Sequence, residues 1–284
     1  MSAAGAGRLV VCPTPIGNLE DVTLRVLSAL REANVIACED TRRTRTLLDR
    51  YGIGAPLVSY HEHNEERRAT ELVRRIRSGD VVALVSDAGM PLISDPGYVL
   101  VRACVAAGVA VEVLPGPSAV IAALVASGLP ADSWRFVGFL PRKRGELRRA
   151  LKSADGTLVA FESPRRVPAT LGLLAELDPE RRVAVCRELT KVHEEVVRGN
   201  ASELAAHYAA SPPRGEVVLV VGAPGGRGRP GAHSPTQAAV SAVARLVDAG
   251  ARPRVAAAVI GELTGSPVNE LYAAAQLRRD ASGP

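Results

Sequence analysis

VVALVSDAGMPLISDPG, residues 81–97, decides the fold. Five apolar residues run without interruption and stop at Ser86-Asp87-Ala88-Gly89. A short run of this kind reads as a strand buried on both faces, with a glycine loop at its carboxyl end. A helical pattern over 98–107 and a further strand over 109–114 follow. The same unit extends toward the N-terminus. Strands at 9–12, 35–38 and 56–60 alternate with helical patterns at 22–33, 44–51 and 65–78. Within 22–33, Val22, Val26, Leu27 and Leu30 share one helical face. Such alternation implies an α/β fold with a mostly parallel sheet and covering helices.

Pro115-Gly-Pro-Ser-Ala119 opens a small-residue helix over 118–127 and reads as a hinge. A second α/β half follows, with strands at 135–140, 157–161, 182–187 and 216–221. The connections inside the last pair are polar, which is compatible with antiparallel pairing. Residues 222–235, GAPGGRGRPGAHSP, have the composition of a flexible linker. Three helical patterns close the chain at 236–248, 254–263 and 268–277. Thr264-Gly265-Ser266 separates the last two, the outline of a helix-turn-helix. A three-helix cap or dimerisation module is the alternative. The expected domains are therefore 1–115, 116–222, a linker at 223–235 and a helical module at 236–284.

The chain has 284 residues, 47% hydrophobic and 23% charged, as in ordinary folded proteins. Its formal charge of +5 permits a polyanionic partner without requiring one. Aromatic residues make up 3%, too few for a platform that stacks many single-stranded bases. No apolar run approaches the roughly 18 residues of a membrane span. The first residues lack the charged and apolar regions of a signal peptide, so a cytoplasmic location is expected. Cys12, Cys38, Cys104 and Cys186 show no CxxC spacing and are expected as buried free thiols.

Several motifs are absent or false. Gly226-Arg-Gly228-Arg-Pro-Gly231 fits GxGxxG, but Pro230 and the missing helix spoil the strand–turn–helix context. No P-loop, HExxH or GxSxG occurs. The loop after the first strand, Pro13 to Asn18, is not a glycine fingerprint, which argues against a Rossmann-type methyltransferase.

Two loops are more informative. Residues 86–97 and 115–119 both follow strands, where open α/β sheets bind ligands. Gly89 and Gly97 permit close backbone approach, and Asp87 and Asp95 offer acceptors to a ribose or an amine. Ser118 is placed to cap the next helix, whose N–H groups face the crevice. Polar strings also follow four strands: Glu39 to Arg43, Tyr60 to Asn64, Glu162 to Arg166, and Arg187 to Glu195. Their shared topological position suggests a cleft. His61 and His63 with Asp40 or Glu39 carry a weak metal-ligand alternative. Arg142 to Arg149 is a basic run, either a solvated helix face or a contact to phosphates.

CPTPIGNLEDVTLR, EDTRRT, LVSDAGMPLISDPG, EVLPGPSA, FVGFLPRK, FESPRR and CRELTKVHEE occur in this order. Together they resemble the ribosomal RNA small subunit methyltransferase I family, the bacterial cytidine 2′-O-ribose methyltransferases of the tetrapyrrole-methylase (class III) superfamily. The resemblance spans about 9–221, and the C-terminal helices look like that family's helical domain. It implies two α/β domains with S-adenosylmethionine (AdoMet) held in the cleft between them. It also implies a homodimer and a cytidine of the 16S rRNA decoding centre, in the small ribosomal subunit, as acceptor.

By motif position, the resemblance assigns Pro15, Ser86, Asp87, Ala88, Gly89, Met90, Ser118, Ala119, Glu162, Ser163, Glu216 and Val217 to the cofactor. Arg42, Arg43, Arg165 and Arg187, with Arg142, Lys143 and Arg144, are expected to meet RNA phosphates. Arg165 stands where the family usually has histidine. Glu188, Lys191 and Asp40 are the candidates for a base that takes the acceptor's proton, and the sequence does not choose among them. Two rival functions are a tetrapyrrole C-methyltransferase and a non-catalytic rRNA-binding assembly factor. The arginine-rich strand ends oppose the first, and the cofactor motifs oppose the second.

Overall fold

The computed structural model describes residues 7–153, 156–224, 237–264, 266 and 268–281. The chain divides into two compact units, Met1–Gly228 and Arg229–Pro284.

The first unit begins with β1 (Arg8–Val11), α1 (Leu24–Glu32), β2 (Val35–Cys38), α2 (Thr41–Arg50), β3 (Leu57–Ser59), α3 (Glu65–Arg77), β4 (Val81–Leu84), α4 (Tyr98–Ala106) and β5 (Ala110–Val113). The strands form one parallel sheet in the order β3-β2-β4-β1-β5. Arg8 lies opposite both Val81 and Ala110. Because successive strand residues face opposite ways, the apolar runs feed two cores. Val10, Ile36 and Ala83 pack with Leu27, Leu30 and Leu48 of α1 and α2. Leu9, Val35, Val82 and Leu84 pack with Leu72, Ile76 and Leu100 of α3 and α4. Local chemistry sets the helix starts. The Thr23 side chain accepts from Val26 N–H and starts α1, and Asp40 accepts from Arg42 N–H and starts α2.

The unit continues through α5 (Ala119–Ser127), β6 (Trp134–Phe139), α6 (Arg144–Lys152), β7 (Thr157–Glu162), α7 (Val167–Leu177), β8 (Arg182–Arg187), β9 (Glu195–Asn200), α8 (Ala201–Ala210) and β10 (Val217–Val221). The second sheet has the order β6-β7-β10-β8-β9. Only β6 and β7 pair parallel; β10 runs antiparallel to both β7 and β8, and β8 and β9 form a hairpin. The mostly parallel arrangement thus belongs to the first sheet alone. Strand β9 lies in a segment expected as polar connection. Leu158, Val183, Val185 and Leu219 face α6, α7 and α8. On the other side, Val159, Ala184, Val218 and Val220 pack with Val120, Ala123 and Leu124 of α5. Ile16, from the loop after β1, joins this same core and couples the first sheet's loops to the second sheet.

The second unit consists of α9 (Gln237–Asp248), α10 (Pro253–Thr264) and α11 (Val268–Ala281) around Ala239, Val243, Ala256, Ala257, Leu271 and Ala275. The greater part of the expected linker, residues 225–235, lies outside the described residues, as do turn residues 265 and 267 and the side chains of Arg278 and Arg279. All four cysteines are free and buried, as their apolar surroundings in the sequence predict.

Candidate active site

The loop after β4 is held in an unusual shape. Thr14 and Gly89 exchange two backbone hydrogen bonds of 2.9 Å. Thr14 Oγ1 donates to Ser86 O at 3.0 Å, and Ser86 Oγ donates to Gly89 O at 3.0 Å. Beyond this clamp, Leu92 and Ser94 take φ of 73° and 66°. Left-handed non-glycine residues cost on the order of 1–3 kcal/mol and persist where the surroundings enforce them, commonly at functional sites. The loop thereby turns Ile93, Ser94 and Asp95 toward a cavity of about 400 Å³, within the range of small-molecule sites.

The cavity lies between the carboxyl-end loops of the first sheet and the second sheet. Ala88 to Met90, the start of α5, and Ile16 form one side. Phe139, the end of β7 from Phe161 to Pro164, Leu189, and Gly215 to Val218 form the other. The chain has three phenylalanines, and all meet here. The Phe161 ring lies 5.0 Å from Phe136 and 5.4 Å from Phe139, both tilted edge to face. A bulge between Phe136 and Phe139 re-aims the end of β6.

Of the twelve residues expected at the cofactor, Ala88, Gly89, Met90, Ser118, Ala119, Glu162, Ser163, Glu216 and Val217 line this cavity. Pro15, Ser86 and Asp87 stand behind the wall. Pro15 precedes Ile16, Ser86 braces the loop, and Asp87 accepts from Asp40 N–H at 3.0 Å and pairs with Arg43 at 3.6 Å. Gly97, expected against a ligand, instead faces Leu92 and Leu84, 2.8 and 3.0 Å from where its Cβ would be. Ser118 caps α5 as expected, accepting from Ile121 N–H at 3.4 Å.

The three candidate bases sit at the periphery. Asp40 caps α2; the Arg42 N–H and then the Arg42 guanidinium hold its carboxyl below the usual range. Glu188 accepts from Glu216 N–H at 2.8 Å and from Lys191 Nζ at 2.9 Å, and in that order these lower its pKa. Partial burial pulls Lys191 down, but its ion pairs with Glu188 and Glu216 outweigh this and raise it overall. None of the three lines the cavity. A side chain at Gly17 would collide with Lys191 and Thr190, and Asn18 N–H donates to Thr190 Oγ1 at 3.1 Å, so the loops after β1 and β8 meet.

The lining carboxylates differ in their partners. Glu162 is buried and accepts from Ser163 N–H and Thr170 Oγ1, with Arg166 at 3.4 Å. Glu216 pairs with Lys191. Asp95 has no cation against it among the described residues. Burial, then the Glu39 charge, push it up to about 6. Asp95 was legible as an acceptor; Phe139, Phe161 and Ile16 were not expected at the site, although FVGFL and FES stand among the motif strings.

The cations occupy the surface. Arg42, Arg43, Arg142, Lys143, Arg144 and Arg165 are exposed. Arg144 pairs with Glu176, Lys143 with Glu146, and the half-buried Arg187 with Glu195. Among the described residues no group of three His, Cys, Asp or Glu side chains is arranged to hold a metal.

The sequence profile described as Tetrapyrrole (Corrin/Porphyrin) Methylases matches residues 8–205, both sheets but for β10. The chain belongs to the tetrapyrrole methylase family. Within it, the chain is 45% identical to the ribosomal RNA small subunit methyltransferase I of Micromonospora olivasterospora, over 99% of this chain and 90% of that protein. It is 46% identical to the protein of that name from Thermotoga maritima, over 76% of this chain and 98% of that protein. Among solved tetrapyrrole methylases, uroporphyrin-III-C-methyltransferase from Thermus thermophilus superposes with a TM-score of 0.54 at 26% identity, over 76% of this chain and 94% of that one. No helix among the described residues is long and apolar enough to cross a membrane.

Proposed function

We propose that this chain transfers a methyl group from AdoMet to the ribose 2′-hydroxyl of a cytidine in the decoding centre of 16S rRNA, acting in the cytoplasm as a homodimer. The observation that carries this is the near full-length similarity to small subunit methyltransferase I, at 45% identity over 99% of the chain. The cavity fits AdoMet. Its phenylalanine edges suit an adenine ring, and the bare backbone at Gly89 admits a close ligand. Ala88, Gly89, Met90, Ser118 and Ala119 on one side, and Glu162, Ser163, Glu216 and Val217 on the other, would hold it. Pro15, Ser86 and Asp87 act by shaping the loops. When bound, AdoMet supplies an electrophilic methyl carbon.

The remaining work is positional. Holding hydroxyl and methyl in line removes the entropic cost of their encounter, up to about 7–11 kcal/mol in well-oriented systems. The strand-end cations Arg42, Arg43, Arg165 and Arg187, with Arg142 to Arg144, would neutralise RNA phosphates. The proposed boundaries, 1–115 and 116–222, put the cavity between the two α/β halves. Exposed Val105, Val113, Ile121 and Val125 on α4, β5 and α5 support a self-association surface.

The test is ribose-methylation mapping of 16S rRNA from a strain lacking the gene. One cytidine in the decoding centre should lose its 2′-O-methyl group and regain it when the gene is restored. An unchanged map would overturn the assignment. The family resemblance also allows a porphyrinoid acceptor, but the 26% identity to the uroporphyrin enzyme supports it less than 45% supports rRNA.

A further inference from the structure

We propose that Asp95 is the group that receives the acceptor's proton during methyl transfer, an inference that rests on the 2′-O-ribose reading above. Glu188, Lys191 and Asp40 do not line the cavity, and donors already occupy the two carboxylates. Among the lining carboxylates, Glu162 is locked by Arg166, Thr170 and Ser163, and Glu216 by Lys191. Asp95 alone among them faces the cavity with no cation on it in the described structure. The two left-handed residues just before it, Leu92 at 73° and Ser94 at 66°, aim this part of the loop inward, and strain of that kind is retained where position matters.

The surroundings of Asp95 keep it basic enough for the task. Glu39 from the end of β2 and Asp87 from its own loop face it with negative charge, and the Ser86 hydroxyl lies against it. Arg43 on α2 is spent on Asp87, and His61 and Glu62 after β3 act on Glu39. A general base works best when its pKa lies near the working pH, and a carboxyl near 6 is both ionised at neutral pH and a better acceptor than an ordinary one. In the step itself the hydroxyl oxygen bonds to the methyl carbon and the carbon–sulfur bond breaks with its electron pair left on sulfur. The hydroxyl proton passes to the Asp95 carboxylate and from there to water.

The experiment compares the full-length protein with Asp95→Asn on small subunits lacking the methyl group. Single-turnover rates are read against pH, AdoMet binding is measured by calorimetry, and the aspartate carboxyl carbons are titrated by NMR without ligand. Asp95→Asn should bind AdoMet as the parent does, while its rate falls by roughly 10²–10⁴-fold. The parent's rate should climb with pH through about 6 and then level, with an NMR titration at the same place. Both features should be missing from Asp95→Asn. A variant with the parent's rate and profile overturns the proposal. So does one whose rate recovers fully at saturating AdoMet, because Asp95 then anchors the donor. If Asp95→Asn does not fold, Asp95→Glu keeps the carboxylate but displaces it. It should be slower with its pH step retained, and an undiminished rate overturns the proposal. Mass spectrometry of the parent's product separates the two readings: a methyl group found anywhere but a ribose 2′-oxygen sinks the 2′-O assignment, whatever the variants do.

Discussion

Gly89 holds a φ of +82°, and a Cβ there would sit 3.3 Å from Ile16 Cγ2 and 3.7 Å from Pro117 O. A β-branched residue meets both the backbone penalty and the contact, a cost of about 1–3 kcal/mol. Gly89→Val should therefore fold with a lowered Tm and, by displacing the loop that lines the cavity, bind AdoMet more weakly by calorimetry. Unchanged affinity would remove Gly89 from the cofactor cradle. Glu188 permits a pH prediction. Its carboxyl is held low by Glu216 N–H and then Lys191, so the stability it contributes is present above the ordinary carboxylate range and is lost as pH falls through its folded value. Glu188→Gln should lower Tm at pH 7 and converge on the parent as the pH falls through that lowered folded value; a deficit that is constant with pH would refute the linkage. At this scale the sequence was legible where chemistry is local. Ser118 as a helix cap and the motif loop at Ala88 to Met90 needed only their neighbours. Asp40 was harder, because a carboxylate before a helix reads equally as cap or base until its donors are seen. The phenylalanines were overlooked for another reason: 3% aromatic content measures abundance, whereas their effect here comes from convergence of strands far apart in the chain.

Helix α6 and the two residues before it, Arg142 and Lys143, carry the basic run as an exposed face above buried Leu147 and Leu151. Its ion pairs, Lys143 with Glu146 and Arg144 with Glu176, lie at the surface, where such pairs are worth about 0–1 kcal/mol. They can therefore yield to phosphates. Replacing Arg142, Lys143 and Arg144 by glutamine should flatten the salt dependence of small-subunit binding by up to about 0.7 log units per lost contact, and leave AdoMet affinity unchanged. An unaltered slope would reduce the run to a solvated face. The elements themselves were mostly legible, since buried strands such as β2 and β4 are unbroken apolar runs with glycine or polar stops. Strand β9 was not. In Glu195-Val-Val-Arg-Gly-Asn200 only two residues are apolar, and it lies at a sheet edge, where cross-strand pairing with β8 rather than burial fixes it. The antiparallel β10, inserted between β7 and β8, was only half visible for a related reason: strand order is a property of distant pairing, and nothing in a run of valines states which neighbour it takes.

At the scale of the whole molecule, the first unit closes on itself before the tail begins. Gly222 N–H donates to Arg182 O at 2.8 Å. The buried Arg181 guanidinium donates to Gly222 O at 2.7 Å and to Leu151 O at 2.6 Å, pinning the end of β10 to α6. The tail has a core of its own, mostly alanine. The Thermotoga relative, matched over 98% of its length by 76% of this chain, bears the same name with about a quarter fewer residues aligned. A chain ending after Gly222 should therefore fold cooperatively and bind AdoMet as the full chain does. We propose that α9 to α11, with α10 and α11 in helix-turn-helix order, grip structured rRNA or the subunit surface and raise the local concentration of the catalytic unit there. At limiting protein, the shortened chain should then methylate subunits more slowly through a higher KM, with kcat retained, because tethering adds binding without touching the chemistry. Equal KM would make the helices a support for stability or self-association, and a loss of kcat would mean that they help to build the site.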